Sequence, residues 1–419
     1  MKTYYGMSRF MENSEYWKAI MMGLFVSIII ISSATIGIFF FSAQKTSILE
    51  ETPLRQVEDI VHNQALENAR SLDVFFSRIE GITKAVGDYA NQIWTTNAST
   101  GRPVYYHNST FNAPTNFFYS AKHSQNVSYT FSGYKVAPSA YNNETDYLTS
   151  ADDQTFGEWS QEVNDTINLT ADLDFVFQPM YQSMDEILWI YMGTEVGVHR
   201  SYPYHGPYSK NYDPRVRPWY LTASDTTTGK IAFTTPYVDA SSGKVIITSL
   251  YPVRNQDETT IGVVGIDFKL TTIQSAVMGI NVQKGGRAFL MNRDFEVLAH
   301  PAHTLPNATW NDTDLQVSIT TLESNVQAFR DLLDQARNFQ VVQEVVDYGG
   351  SLGNQIVSLV PLNKTDLILG SALMQQSVVA PTVRIFENIF FLGFFVLNIV
   401  LIIVLVAAYI QYRKLASQM

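Results

Sequence analysis

The sequence predicts an α+β fold in a two-span membrane protein. Three observations carry that expectation: a charge-free apolar run near each end, helical periodicity after the first, and short strand-like runs that recur as two sets. The chain has 419 residues, 46% hydrophobic and only 16% charged, with a formal charge of -11. That length supports two or three ordinary domains. The acidity argues against nucleic acid as a partner, because no basic stripe offsets repulsion from phosphate. With no cysteine in the chain, disulfides, cysteine nucleophiles, iron–sulfur clusters and thiolate zinc sites are excluded.

The apolar runs come first. Ala19 to Gln44 holds no Asp, Glu, Lys or Arg, and neither does Asn388 to Tyr412. A helix needs about 20 mainly apolar residues to cross a bilayer, so both runs are read as spans. A retained anchor is favoured over a cleaved signal peptide for the first, whose apolar core is long and lacks a clear small-residue cleavage site. Trp17 and Lys18 flank it, and Tyr409, Tyr412, Arg413 and Lys414 flank the second. The positive-inside tendency places both termini in the cytoplasm and residues 45–386 outside, in a two-pass cell-membrane topology. Nine Asn-X-Ser/Thr sequons lie in that segment, at Asn97, Asn108, Asn126, Asn143, Asn164, Asn168, Asn307, Asn311 and Asn363. They suit glycosylation on a eukaryotic secretory route; a bacterial protein rich in Asn and Thr remains open.

After the first span, apolar residues fall at Leu72, Phe75, Ile79, Ile82, Val86, Tyr89 and Ile93. Spacings of three and four make one helical stripe, either a coiled-coil seam or, as the sparse flanking charges favour, a face packed on its own domain. Thr95 to about Asp174 is rich in Asn, Ser, Thr, Tyr and Gly and reads as irregular loops with a few short elements. Strands are expected over Glu186–Met192, Gly197–Tyr204, Lys230–Tyr237, Val245–Val253 and Thr260–Phe268, then a short helix over Thr271–Met278. A smaller set follows: a hairpin of Arg287–Asn292 and Glu296–Ala299, a helix over Val317–Phe339, and strands over Val341–Asp347, Asn354–Leu362 and Leu367–Ala372.

The run from Tyr212 to Ala223, Tyr-Asp-Pro-Arg-Val-Arg-Pro-Trp-Tyr-Leu-Thr-Ala, resembles the central motif of double Cache sensor domains. Phe233 to Asp239 and Gly262 to Asp267 match the next two blocks in order, and Gly286 to Phe289 and Leu298 to Pro301 resemble the opening of that family's second module. The resemblance covers roughly Lys45 to Pro381. It implies a double-Cache ectodomain: a long N-terminal helix carrying two PAS-like antiparallel-sheet modules, with ligand held in the membrane-distal one. The implied division is a cytoplasmic tail at 1–18, a transmembrane helix at 19–44, a stalk or packing helix at 45–95, a distal module at 96–279, a proximal module at 280–386, a transmembrane helix at 387–412 and a tail at 413–419.

The resemblance extends to the amino-acid-binding subgroup, whose recurring residues correspond here to Tyr212, Arg217, Trp219, Tyr220, Tyr237 and Asp267. These types suit the ligand. Arg217 can give a bidentate pair to a carboxylate, Trp219 an indole N–H, and Asp267 can accept from an ammonium beside the hydroxyls of Tyr212 and Tyr237. Aromatic faces can stack on the cation. Charged hydrogen bonds of roughly 1.5–3 kcal/mol each support affinity near micromolar. Against this stands a purely structural role, with Arg217 paired to Asp267 or Asp213 and the aromatics in the core. An extended strand over 216–218 would send Arg217 and Trp219 to one face, which Arg215 shares by parity.

The function expected is an extracellular sensor of an amino acid or related amine that signals through its second span to a membrane-protein partner or homodimer. The alternative is an accessory subunit of a channel, transporter or receptor complex, by the resemblance to calcium-channel alpha-2/delta subunits. The short segment after the second span leaves the output to a partner or to a longer chain. No enzyme motif, cofactor or metal is implied; His300 and His303 lack acidic partners at helical spacing and read as part of a turn.

Overall fold

The computed structural model describes residues 22–23, 54–97, 99–104, 116–142, 159–206, 208–209, 211–224, 230–283, 285–303 and 317–417. By contact they fall into two units, one of 61–373 and one of the terminal segments 1–60 and 374–419.

A helix runs over 54–96. It buries Val61, Ala65, Ala69, Leu72, Phe76, Ile79, Thr83, Val86, Ala90 and Ile93. Four of the predicted stripe positions lie on this face, while Phe75, Ile82 and Tyr89 are half-buried at its edge. The centre of the face is shifted toward small residues because the helix lies close on a sheet. A Cβ on Gly87 would collide with the Tyr251 ring. Thr83 Oγ1 donates to Ser249 Oγ at 2.8 Å. Tyr251 Oη donates to Asp88 at 3.0 Å and accepts from Asn91 at 3.2 Å. The face therefore packs on its own domain.

That sheet contains strands β3 (Gly133–Val136), β4 (Ile187–Thr194), β5 (Val198–Tyr202), β7 (Ala232–Phe233), β8 (Tyr237–Val238), β9 (Val245–Arg254) and β10 (Thr260–Lys269). Its order is β3-β5-β4-β10-β9-β7, with β8 also paired to β9. The strand expected over 230–237 is two short pieces, because Pro236 has no N–H to give a ladder. A small sheet of β1 (Phe118–Ser120), β2 (Gln125–Ser128) and β6 (Tyr204–His205) forms from the loop-rich region. Helices Gln161–Thr170 and Asp174–Gln182 follow in that region, and Leu270–Met278 follows β10.

The second sheet has the order β12-β11-β15-β14-β13. Its strands are β11 (Gly286–Asn292), β12 (Val297–Ala299), β13 (Val342–Asp347), β14 (Asn354–Pro361) and β15 (Leu367–Met374). The helix expected over 317–339 is split into Ile319–Leu322 and Gln327–Arg337. The break places Glu323 inside, where it pairs with Arg287 and accepts from His300 Nε2 at 2.8 Å. His300 is thus engaged by a buried carboxylate. Phe289, Phe329, Leu332, Leu333, Val357 and Ile368 fill this core.

The membrane expectation is corrected. A crossing needs an unbroken helix of about 20 mainly apolar residues. A helix runs over Gln375–Ser417, yet among the described residues no helix is long and apolar enough to cross a membrane. The first apolar run lies outside the described residues apart from Met22 and Gly23. The two-span architecture, the two-pass localisation with an outside segment 45–386, the bilayer as partner and the relay through a second span are withdrawn with it. Of the sequon asparagines, Asn97, Asn126, Asn168 and Asn363 are exposed and Asn164 is half-buried. Asn108, Asn143, Asn307 and Asn311 lie outside the described residues.

Gly370 on β15 faces Phe289 on β11 in register, and a Cβ there would enter the space of that ring. Gly370→Ala is expected to destabilise the fold by about 1–3 kcal/mol in urea melts. Phe289→Leu added to it should return part of that loss; an unchanged midpoint in Gly370→Ala alone would contradict the packing.

Candidate functional site

The strand β9 has two faces with different duties. Ser249 and Tyr251 point to the long helix, so Ile246, Thr248 and Leu250 point to the opposite side. Across that second face, Asp267 on β10 stands in register with Trp189 on β4 and with Thr248 on β9. A carboxyl at the centre of a sheet is costly unless its oxygens are satisfied. Thr248 Oγ1 donates to Asp267 Oδ1 at 2.6 Å and Tyr191 Oη donates to the same oxygen at 2.7 Å. Tyr237 Oη lies 2.7 Å from Thr248 Oγ1 and extends the chain.

Two glycines make this arrangement possible. Gly265 stands opposite Tyr191, and a Cβ on it would meet the Tyr191 ring. Without that side chain, Tyr191 lies across β10 and reaches Asp267. Gly193, two residues further along β4, leaves room for the Trp219 indole and for Pro214.

Trp219 comes from a segment that is not extended. Pro214–Val216 forms a 3-10 turn and Pro218–Ser224 a helix, with Arg217 between them at φ -84° and ψ 148°. Asp213 caps the turn by accepting from the Arg215 backbone N–H at 2.9 Å. It also accepts from Arg215 Nε at 2.9 Å and from Nη2 at 2.6 Å. Arg215 is thereby occupied and Asp213 is closed to Arg217. The Arg215 pair holds the Asp213 carboxyl below its ordinary value, outweighing the burial that raises it.

The structure brings Tyr212, Arg217, Trp219, Tyr237 and Asp267 to one cavity, together with Trp189, Tyr191, His199, His205, Tyr208, Asp239 and Ala240. Tyr220 does not line it; its ring packs on Trp219 in the core. Arg217 is half-buried with its guanidinium 5.9 Å from the Tyr212 ring centre, and among the described residues it has no ion pair. Trp219 is buried, with its ring centre 4.8 Å from that of Tyr191. The room enclosed is about 20 Å³, the space of roughly one water molecule.

Burial raises the Asp267 carboxyl well above the usual carboxylate range, and the nearby Asp239 pushes in the same direction. Burial also raises Tyr191, Tyr212 and Tyr237. His205 is lowered to about 4 by burial. Its Nε2 lies 2.6 Å from Tyr208 Oη, and its ring stacks on Trp189 with centroids 3.7 Å apart. The cavity therefore has aromatic and imidazole walls, the carboxyl groups of Asp267 and Asp239, and one guanidinium.

Sequence reasoning missed Trp189, Tyr191, His199, His205, Tyr208 and Asp239. The alternation Trp189-x-Tyr191-x-Gly193 puts two of these positions on one strand face. Its meaning depends on the register with Gly265, which the sequence does not display.

Residues 90–275 match the family model described as methyl-accepting chemotaxis protein-like, first PDC sensor domain. The chain is 30% identical over 171 residues to the methyl-accepting chemotaxis protein McpC of Bacillus subtilis, which is 41% of this chain and 24% of that protein. It is 28% identical over 203 residues to the methyl-accepting chemotaxis protein PscA of Pseudomonas syringae pv. tomato, 48% of this chain and 31% of that protein. The matches thus span about a quarter to a third of these relatives. Among solved structures, the ligand-binding domain of the Pseudomonas aeruginosa amino acid chemoreceptor PctB in complex with L-Arg is 21% identical, with a TM-score of 0.36, over 52% of this chain and 80% of that one. In keeping with the double-Cache resemblance, the segment 90–275 is similar to the first PDC sensor domain of methyl-accepting chemotaxis protein-like chains.

Proposed function

We propose that the cavity of the first module binds an α-amino acid or a related amine as the signal this sensor reads. One observation carries the reading: an ion-pair-free guanidinium and a buried carboxyl stand on the walls of one aromatic cavity. An amino acid carries the complementary charges on adjacent groups. Arg217 takes the carboxylate, and Asp267 takes the ammonium through Oδ2, since both protein hydrogen bonds fall on Oδ1. Tyr212, Tyr237 and the Trp219 face enclose the ligand backbone. Tyr220 supports Trp219 from behind rather than touching ligand. The module boundaries 96–279 and 280–386 belong to the same proposal. The accessory-subunit reading stands beside it as the second choice, because protein contact through the same module needs no membrane relay.

A calorimetric and thermal-shift screen of amino acids and small amines on the full chain tests the reading. At least one should bind, and Arg217→Ala should weaken it roughly 10- to 100-fold, the equivalent of about 1.5–3 kcal/mol for a charged hydrogen bond. Failure of every ligand, or affinity indifferent to Arg217, would overturn it.

Asp267 adds a pH signature. Its folded carboxyl titrates above its ordinary value of 3.8, so its contribution to stability is full below about pH 4 and is lost as pH rises through the folded value. Asp267→Asn removes that loss. In urea melts the variant should gain stability relative to the parent as pH rises from 4 to 7. A pH-independent difference would mean the carboxyl titrates normally.

A further inference from the structure

Three lysines meet at the end of β9 and β10, outside the cavity described above. The turn between β1 and β2 carries Lys122, the approach to β9 carries Lys244, and β10 ends on Lys269. All three are half-buried. Lys244 Nζ donates to Ser124 Oγ at 2.7 Å and to the Lys122 carbonyl at 3.3 Å. Lys269 Nζ donates to that same carbonyl. The Lys122 ammonium lies over the Tyr181 ring, 4.3 Å from its centre.

This is an unfavourable way to place three cations. The protein has 39 acidic residues against 28 basic ones, so carboxylate partners are plentiful, yet among the described residues none of the three has one within 4.0 Å. Asp185 and Glu186 act on Lys122, and Asp239 on Lys244, only at longer range. Lys244 and Lys269 instead share one acceptor, the Lys122 carbonyl, which brings their ammonium groups side by side. Two ammonium groups on one carbonyl repel each other, and an anion beside both would relieve that repulsion. Burial and mutual repulsion lower Lys122 and Lys244 to about 8, as expected of cations lacking a counter-charge.

We infer that Lys122, Lys244 and Lys269 form a binding site for a small multivalent oxyanion of the phosphate or sulfate class. An anion with several acceptor oxygens can take a hydrogen bond from each ammonium and relieve their repulsion. Ser124 Oγ, already on Lys244, supplies a further donor at the same place. Binding would fasten the β1–β2 turn to the end of the large sheet. That turn also carries His123, whose ring lies 4.4 Å from the Trp189 ring on the cavity wall.

The test uses the full chain in chloride buffer, titrated with inorganic phosphate and, separately, sulfate at constant ionic strength. A saturable heat and a rise in melting temperature beyond that given by chloride are expected. The double variant Lys244→Gln/Lys269→Gln should lose at least tenfold in affinity, while Lys364→Gln, which removes a lysine paired with Glu80 at 2.9 Å, should leave it unchanged. Should the double variant not fold, acylation of the parent protein decides: phosphate should slow modification of Lys244 and Lys269 at least fivefold relative to Lys364. Equal effects of phosphate, sulfate and chloride, or undiminished affinity in a folded double variant, would overturn the inference.

Discussion

The first module is organised around one buried carboxyl. Asp267 is 2% exposed and lies between β4 and β9, where an uncompensated charge would cost several kcal/mol. Its hydrogen bonds dictate much of what surrounds it. Thr248 must be on the adjacent strand in register, Tyr191 must cross β10, and β10 must have glycine at 265 for Tyr191 to cross. Once Tyr191 lies there, Trp219 packs edge-on against it with centroids 4.8 Å apart. Gly193 makes the room on β4 for that indole. The aromatic lining is the consequence of one polar group being satisfied in an apolar place.

The other face of the same strands explains why this arrangement holds its shape. Ser249 and Tyr251 engage Thr83, Asp88 and Asn91 of the long helix, and Phe76 packs edge-on against Phe233 and Phe268. With Gly87 pressed against Tyr251, β9 has little freedom to slide. A one-residue slip would turn Thr248 toward the helix and leave Asp267 without its donor. The register is therefore enforced from both faces.

The strands were legible because their apolar runs are bounded by turn residues, and β4, β9 and β10 fall within a few residues of expectation. The small sheet was not, since Gln125–Ser128 and Tyr204–His205 have no distinctive alternation and are held by neighbours. The segment 214–218 defeated parity reasoning: Pro214 and Pro218 suit the starts of turns and helices as well as extended chain, and the Asp213 cap decides between them. The six-residue set was readable only through a family resemblance, and Tyr220 shows the limit of that route, because a recurring aromatic can serve the core. Tyr191 was illegible for a physical reason. Its role follows from what Gly265, on another strand, does not have.

Charge and room together constrain how the proposed ligand enters. About 20 Å³ does not hold an amino acid, so a wall must move. The sheet residues are fixed by register and by the long helix, which excludes Trp189, Tyr191 and Asp267. Tyr212 is buried and packs on the His199 and Tyr208 rings. Two charged wall residues lie outside the strands. Arg217 is half-buried without an ion pair, and Asp239 stands in the turn between β8 and β9. Asp239 accepts from the backbone and hydroxyl of Ser242 at 2.9 and 2.6 Å and from the Ser241 hydroxyl at 2.7 Å, so that turn moves as one piece. Its displacement would also carry Asp239 away from Asp267, removing a like charge that opposes ionisation of the carboxyl. In the proposed binding, opening the wall at this turn would also prepare Asp267 to receive an ammonium.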